Sequence, residues 1–296
     1  MSETFLRQAE AKTSTEGKLS ETTLERKTNS NGDNIIVGNI TIKTGDIEST
    51  TYNVNVKEFT NKGTDNPAYQ NISTILDTCH SIAEVGLEEA NCIAIHRGQL
   101  NPYTYFNEAG KKFNRMSYKA SFINRIVEKD MSPHSTFQVE TYIASMEYEK
   151  DNEERETGRL ILHCLLPIYN NGIEPFDVIV PEKYAAPMER MFSDPESASA
   201  LIKGNIINKQ EEITKTIEME IGEDIIETET YRVSELMLTG ATPLQEQYSS
   251  EIIERAVTEY NLVLEEKRQK KINEDKNKSS VTNMGSTNTT GRKFAW

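Results

Sequence analysis

Between Arg97 and Arg125 six basic residues, Arg97, Lys111, Lys112, Arg115, Lys119 and Arg125, meet a single acid, Glu108. That is a local charge of +5 in a chain whose net charge is −14. Tyr103, Tyr105, Phe106, Phe113, Tyr118 and Phe122 are interleaved with them. Capture of a flexible polyanion whose bases carry π-faces needs two things: cations along the phosphates and aromatic rings under the bases. This stretch supplies both. Tyr103, Tyr105 and Phe106 sit beside Asn101, Pro102 and Asn107, turn-forming residues that make burial of three rings difficult, so they are expected to stack on bases. Phe113 belongs with them. Tyr118 and Phe122 share one strand face with Met116 and are equally readable as barrel core. Lys57 and Phe59 alternate with Val54 and Val56 and extend the surface from another strand, alongside Tyr52 and Lys62.

A second stretch has the opposite character. Gln210–Glu229 carries Glu211, Glu212, Glu218, Glu220, Glu223, Asp224, Glu227 and Glu229 against one lysine. Such a segment repels phosphate. It reads first as a solvated hairpin, then as a docking surface for a basic protein or a mimic of DNA. Catalytic signals are poor. His80, His96, His134 and His163 lack the HExxH spacing, and Cys79, His80, Cys92 and His96 match no usual zinc pattern. No phosphate-binding glycine loop or nucleophile elbow occurs. The expectation is a non-enzymatic protein with no cofactor and no metal.

These residues need a frame to hold them. Residues 1–32 and 277–296 are polar, without apolar periodicity, and read as disordered tails. Two segments between them, 33–130 and 136–242, carry β-type alternation. In the first, strands are expected at Asn34–Ile42, Thr50–Phe59, Asn91–Leu100 and Asn114–Val127, the last long and bent, with a helix over Ile72–Val85. A third strand before that helix is the weak point. In the second, strands are expected at Thr136–Glu147, Gly158–Ile168, Ile173–Val180, Ala198–Asn208 and Tyr231–Leu238. A hairpin turn at Asn170-Asn171-Gly172 and a helix from Pro181 complete it. Strands with a helix between the third and fourth follow the order of a five-stranded Greek-key barrel, the OB-fold. The fold class is therefore mainly β, with two OB-type barrels in tandem. An internal echo supports duplication: Ala94 to Leu100 parallels Ala200 to Ile206, each with a basic residue before a glycine, Arg97-Gly98 and Lys203-Gly204. After the barrels, residues 250–272 read as a helix with an apolar stripe of Ile252, Ile253, Ala256, Val257, Tyr260 and Leu264. The stripe should pack on a barrel or on a second copy of itself.

The stretch from Ile173 to Leu238, with its apolar strand ending at Val180, its helix, the Lys203-Gly204-Asn205-Ile206 strand and the closing strand, resembles the bacterial and phage single-stranded DNA-binding proteins. Two such units with polar tails are similar to phage members of that kind. The resemblance implies single-stranded DNA as ligand, with RNA as an alternative, in replication or recombination within the cytoplasm of the host cell. It does not extend to the end of the chain: the bacterial members close on an acidic tip that recruits partners, and here Gly291-Arg292-Lys293-Phe294-Ala295-Trp296 is basic and aromatic. Two other classes stay open: a phage structural or assembly protein, and an inhibitor or regulator acting through the acidic hairpin 210–229. A protein partner bound by that hairpin or by the C-terminal tail, and a homo-oligomer, also remain open. The three cysteines, Cys79, Cys92 and Cys164, are expected as buried free thiols. No apolar run is long enough to span a membrane, and the N-terminus lacks the features of a signal peptide.

Overall fold

The structure, a computed structural model, describes residues 5–194, 198–217 and 225–282. Twelve strands form one sheet: β1 (Ala11–Thr22), β2 (Glu25–Thr28), β3 (Asn34–Lys43), β4 (Ser49–Lys57), β5 (Cys92–Phe106), β6 (Lys112–Lys119), β7 (Asn124–Ile126), β8 (His134–Lys150), β9 (Glu156–Pro167), β10 (Ile173–Val180), β11 (Ser199–Ile217) and β12 (Ile225–Pro243). The helices are α1 (Pro67–Thr78), α2 (Ile82–Val85), α3 (Glu182–Met191) and α4 (Ser250–Thr282).

The sheet closes twice. β1, β3, β4, β6 and β5 form a ring, because β5 pairs back onto β1. β8, β9, β10, β12 and β11 form a second, because β11 pairs back onto β8. Each ring has one parallel contact, Tyr52 opposite Tyr118 in the first and Ile179 opposite Met237 in the second. In each, a helix intervenes between the third and fourth strands. This is the OB arrangement, twice. Val54, Val56, Ile93, Ile95 and Leu100 fill the first barrel, and Leu160, Leu162, Val178, Val180 and Ile202 the second. Local signals set the connections. Asn66 caps α1 by accepting from Ala68 N at 3.0 Å, with Pro67 in the first turn. Asn170 and Asn171 both take positive φ, 62° and 58°, as a tight turn between β9 and β10 requires.

Residues 5–32, expected as part of a disordered tail, are ordered and bring β1 and β2 into the sheet. β1 lies at the centre of the sheet, between β5 on one side and β3 and β8 on the other. It supplies the strand that the expected first barrel was short of, the first strand and not the third. Its inward positions are Thr13, Thr15, Gly17 and Leu19, so it shows no hydropathic alternation. The barrel interior there is polar and fully bonded. Thr15 Oγ1 meets Tyr52 OH at 2.8 Å and Ser135 Oγ at 2.9 Å, Tyr52 OH donates to Thr13 Oγ1 at 2.9 Å, and Thr50 Oγ1 meets Ser135 Oγ at 2.9 Å. All five residues are buried. A buried network of this kind is favourable only while every member is satisfied. Replacing Tyr52 by Phe takes the Tyr52 partner from Thr13 and leaves Thr15 with Ser135 alone, and should cost about 1–3 kcal/mol. For a chain of this size that lowers the melting temperature by roughly 2–4 °C per kcal/mol. An unchanged calorimetric midpoint would show that the network contributes nothing.

The expected long strand Asn114–Val127 is two, β6 and β7. β7 pairs with the start of β5 and β6 with its end. The helix expected over Ile72–Val85 is likewise two, α1 starting earlier and α2 carrying its own Ser81–Glu84 capping box. α4 runs to Thr282, past the expected end at 272. Residues 283–296, and with them the terminal Phe294 and Trp296, lie outside the described residues.

The β1 and β8 strands pair with each other, Ala11 opposite Val139 through Glu16 opposite His134, so the two barrels share a backbone seam. The internal echo has a physical cause. Gly98 and Gly204 each lie beneath an aromatic ring. A Cβ at Gly98 would collide with Thr13 Oγ1 and come 2.6 Å from Tyr52 Cε1. One at Gly204 would collide with Met237 O and come 2.5 Å from Phe137 Cε1. Both glycines sit at register irregularities, where a strand must bend to close a small barrel.

Candidate nucleic-acid interface

β5 and β6 outrun the first barrel as a two-stranded arm. Their register decides which side chains share a face. Tyr103 lies opposite Arg115 and Tyr105 opposite Phe113, so these four stand together on the outer face. Thr104 lies opposite Asn114 and Phe106 opposite Lys112, on the other face. The outer face is open: Tyr103 is 41% and Tyr105 38% exposed. The Tyr105 and Phe113 rings stack at 5.4 Å with an interplanar angle of 18°, Tyr103 follows at 6.2 Å, and Lys111 lies over Phe113 at 5.4 Å. Below Tyr103 the same face continues through Asn101 opposite Ser117 and Gln99 opposite Lys119. Lys119 donates to Asn101 Oδ1 at 3.0 Å.

The inner face of the arm is occupied. Thr104 Oγ1 meets Tyr260 OH of α4 at 2.6 Å, and Lys112 lies over the Tyr260 ring at 5.7 Å. Burial pushes the Tyr260 phenol up to about 12, and burial also raises the nearby Glu174 carboxyl. The α4 stripe therefore packs on β10 and on this arm. Phe106 and Lys112 lie opposite each other on this inner face and not on the outer one, and Lys112 takes part in the contact with Tyr260.

The other expected site residues scatter. Arg97 is exposed on β5 beside Gly98. Arg125 is on β7, opposite Ile93, roughly 30 Å along β5 from Tyr103. Lys57 is held by Asp33 at 2.9 Å and Phe59 bridges to Asp65; both lie past the barrel end opposite the arm. Tyr118 is core, 6% exposed. Phe122 is 49% exposed, because β6 ends at Lys119 and the strand face it was expected to share with Tyr118 ends there. Among the described residues Arg97, Lys111, Lys112, Arg115, Lys119 and Arg125 make no ion pair, whereas Arg7, Lys18, Arg26, Lys57 and Arg159 all do.

The second barrel returns the gesture. β11 and β12 also outrun their barrel, paired as far as Ile217 opposite Ile225, so the acidic segment is a strand hairpin whose tip, 218–224, lies outside the described residues. Its base crosses the first barrel. Gln210 N donates to Ile47 O at 3.1 Å and Lys209 pairs with Glu48 at 3.1 Å. A groove of about 520 Å³ runs between this base and the outer face, with Thr51, Asn53, Tyr103 and Ser117 on one side and Lys209 and Arg232 on the other. Neither Lys209 nor Arg232 was legible as a site residue, because each flanks the acidic run in sequence.

The family model named YorF matches residues 10–278, which spans both barrels and most of α4. The chain belongs to the YorF family. No curated protein matches this YorF-family chain in sequence. Among solved structures it is similar to the wild-type single-stranded DNA-binding protein of Thermus aquaticus, at TM-score 0.47 and 10% identity, over 82% of this chain and 97% of that one. A deletion mutant of the same Thermus aquaticus protein aligns at the same TM-score and identity, over 82% of this chain and 98% of that one. Among the described residues of the YorF-family chain, no helix is long and apolar enough to cross a membrane, and no cluster of three His, Cys, Asp or Glu could hold a metal ion. Cys79, Cys92 and Cys164 are buried and unpaired.

Proposed function

We propose that the chain binds single-stranded DNA, without catalysis and without base readout, on the outer face of the β5–β6 arm. One observation carries this: a stack of exposed Tyr103 and Tyr105 on half-buried Phe113 is flanked by Lys111, Arg115 and Lys119, none of which is neutralised by a described carboxylate. Exposed rings offer π-faces to any base, and free cations offer charge to any phosphate, so affinity comes without sequence preference. A duplex keeps its bases stacked on each other and gains only the cations. Such binding suits strands opened in replication or recombination.

The test is fluorescence anisotropy of a labelled oligothymidine at low and moderate salt, with the matching duplex and an oligouridine as further arms. Tight binding of the single strand, weak binding of the duplex and loss with salt are expected. K111A/R115A/K119A should lower the slope of log affinity against log salt by about 2, at about 0.7 per phosphate contact on a single strand. No binding by the wild-type chain at low salt would end the proposal.

A further inference from the structure

The backbone seam between the barrels bears a groove of about 400 Å³ on its outer side. Register fixes its cross-section. Gln99 of β5 lies opposite Lys12 of β1, Lys12 opposite Gln138 of β8, and Gln138 opposite Lys203 of β11. One lateral row thus reads Gln, Lys, Gln, Lys over four neighbouring strands. Lys12 and Lys203 are both exposed and stand two strand spacings apart, about 10 Å at the backbone. His96 reaches into the groove, and no carboxylate lines it. In a chain of net charge −14, a groove walled by cations from both barrels and free of acids is a site for an anion. Glu10 holds Lys12 Nζ at 2.5 Å from the rim. Lys203 has no ion pair among the described residues.

The groove opens onto the arm. Gln99, at one end of the row, is the foot of the outer face that climbs through Asn101 to Tyr103 and Tyr105. A strand leaving the rings along β5 meets Lys12 next, and then Lys203. The acidic part of β11 begins at Glu211, eight residues beyond Lys203 and roughly 25 Å further along the strand, so the second barrel offers a cation here despite its acidic hairpin.

We propose that the seam groove carries the phosphodiester backbone of the same single strand that stacks on the arm, with Lys12 and Lys203 neutralising phosphates and Gln99 and Gln138 donating amide hydrogen bonds between them. This rests on the proposed function and extends it: the arm is the primary contact for a short strand, and the seam adds length. β1 then serves twice, closing a barrel with its inward threonines and holding the ligand with its outward lysine.

The experiment compares a short oligothymidine of about 6 nucleotides with one of about 25, within and beyond the span of a single OB barrel, for the wild-type chain, K12Q/K203Q and K111A/R115A. K12Q/K203Q should bind the short oligomer like wild type. On the long one it should lose about tenfold, and its salt slope should fall by about 1.4. K111A/R115A should weaken both. Should K12Q/K203Q match wild type on the long oligomer in affinity and slope while K111A/R115A binds weakly, the seam is off the path and the arm alone binds. An equal loss on both oligomers would put the seam inside the primary contact and overturn the extended path. If wild type binds neither, the proposed function fails and the seam site with it. Both changes are at exposed positions; should the double variant not fold, Lys203→Gln alone is expected to halve the change in slope, and an unchanged slope overturns the proposal.

Discussion

Alanine at Tyr105 and Phe113 together is expected to weaken oligothymidine binding about a hundredfold while leaving the melting temperature within a few degrees of wild type. Removing an aromatic platform costs about 1–3 kcal/mol per stacked base, and about 3 kcal/mol lost is a hundredfold in affinity. Tyr105 and Phe113 form one platform, stacked at 5.4 Å on the outer face of the arm. Truncating both removes the surface rather than exchanging one ring for the other. Stability should barely move, because neither ring lies in the buried core. The arm itself is held from its other side, by Thr104 against Tyr260. Anisotropy and thermal unfolding on the same preparations decide the matter. A folded double variant that binds within twofold of wild type would show that these rings carry no base. Phe106→Ala makes the contrast: it lies on the inner face, away from the ring stack, and should leave binding nearly unchanged.

The largest loss of stability is expected at Gly204. A single added methyl would run into Met237 O, a backbone atom of the paired strand β12, and into the Phe137 ring at 2.5 Å. Neither can yield cheaply, since the carbonyl belongs to the β11–β12 ladder and the ring is 3% exposed in the core. Overpacking costs about 1–3 kcal/mol and occasionally more, and a clash with backbone stands at the upper end; the melting temperature falls by roughly 2–4 °C per kcal/mol. Gly240 lies opposite Lys203 one position away in the same ladder, and a Cβ there meets nothing within 4 Å. Gly240→Ala is therefore the control and should be nearly neutral. Equal midpoints for Gly204→Ala and Gly240→Ala would refute the close-approach account of the echoed glycines.

Much of this fold is legible in the sequence. β4 announces itself because Tyr52, Val54 and Val56 alternate with polar residues, β3, β9 and β10 because they are runs rich in aliphatic side chains, and the Asn170-Asn171-Gly172 turn fixes one hairpin. β1 hid because its inward residues are threonines paid off by hydrogen bonds to Tyr52 and Ser135, partners 37 and 120 residues away. Hydropathy cannot register a polar position that is satisfied only in the folded state. The same blind spot concealed Lys12, which looked like part of a solvated tail. On the arm, composition located the cations and rings, but only the β5–β6 register could divide Tyr103 and Tyr105 from Phe106, and Lys111 and Arg115 from Lys112. Arg125, Lys57 and Phe59 were grouped with them by nearness in sequence and alternation, and the fold sends them to other edges. Lys203 did leave a trace: the echo that aligned it with Arg97 was a signal of position on a barrel, readable as a site only once the seam was known.

The seam also sets an order of events during synthesis. β1 leaves the ribosome before its partners: β3 soon follows and pairs with its C-terminal part, but β5 begins only at Cys92 and β8 at His134. The first barrel cannot close until β6 has emerged, and the outer edge of β1 stays open until residues 134–139 pair with it. Until then the nascent chain presents an open polar edge over residues 11–16. Contacts so distant in sequence are slow to form, and an open edge is a template for the wrong strand. Gly, Thr and Ser where Val and Ile would be expected leave that waiting edge poorly adhesive, so the polarity that hid β1 from inspection also protects it while it is alone.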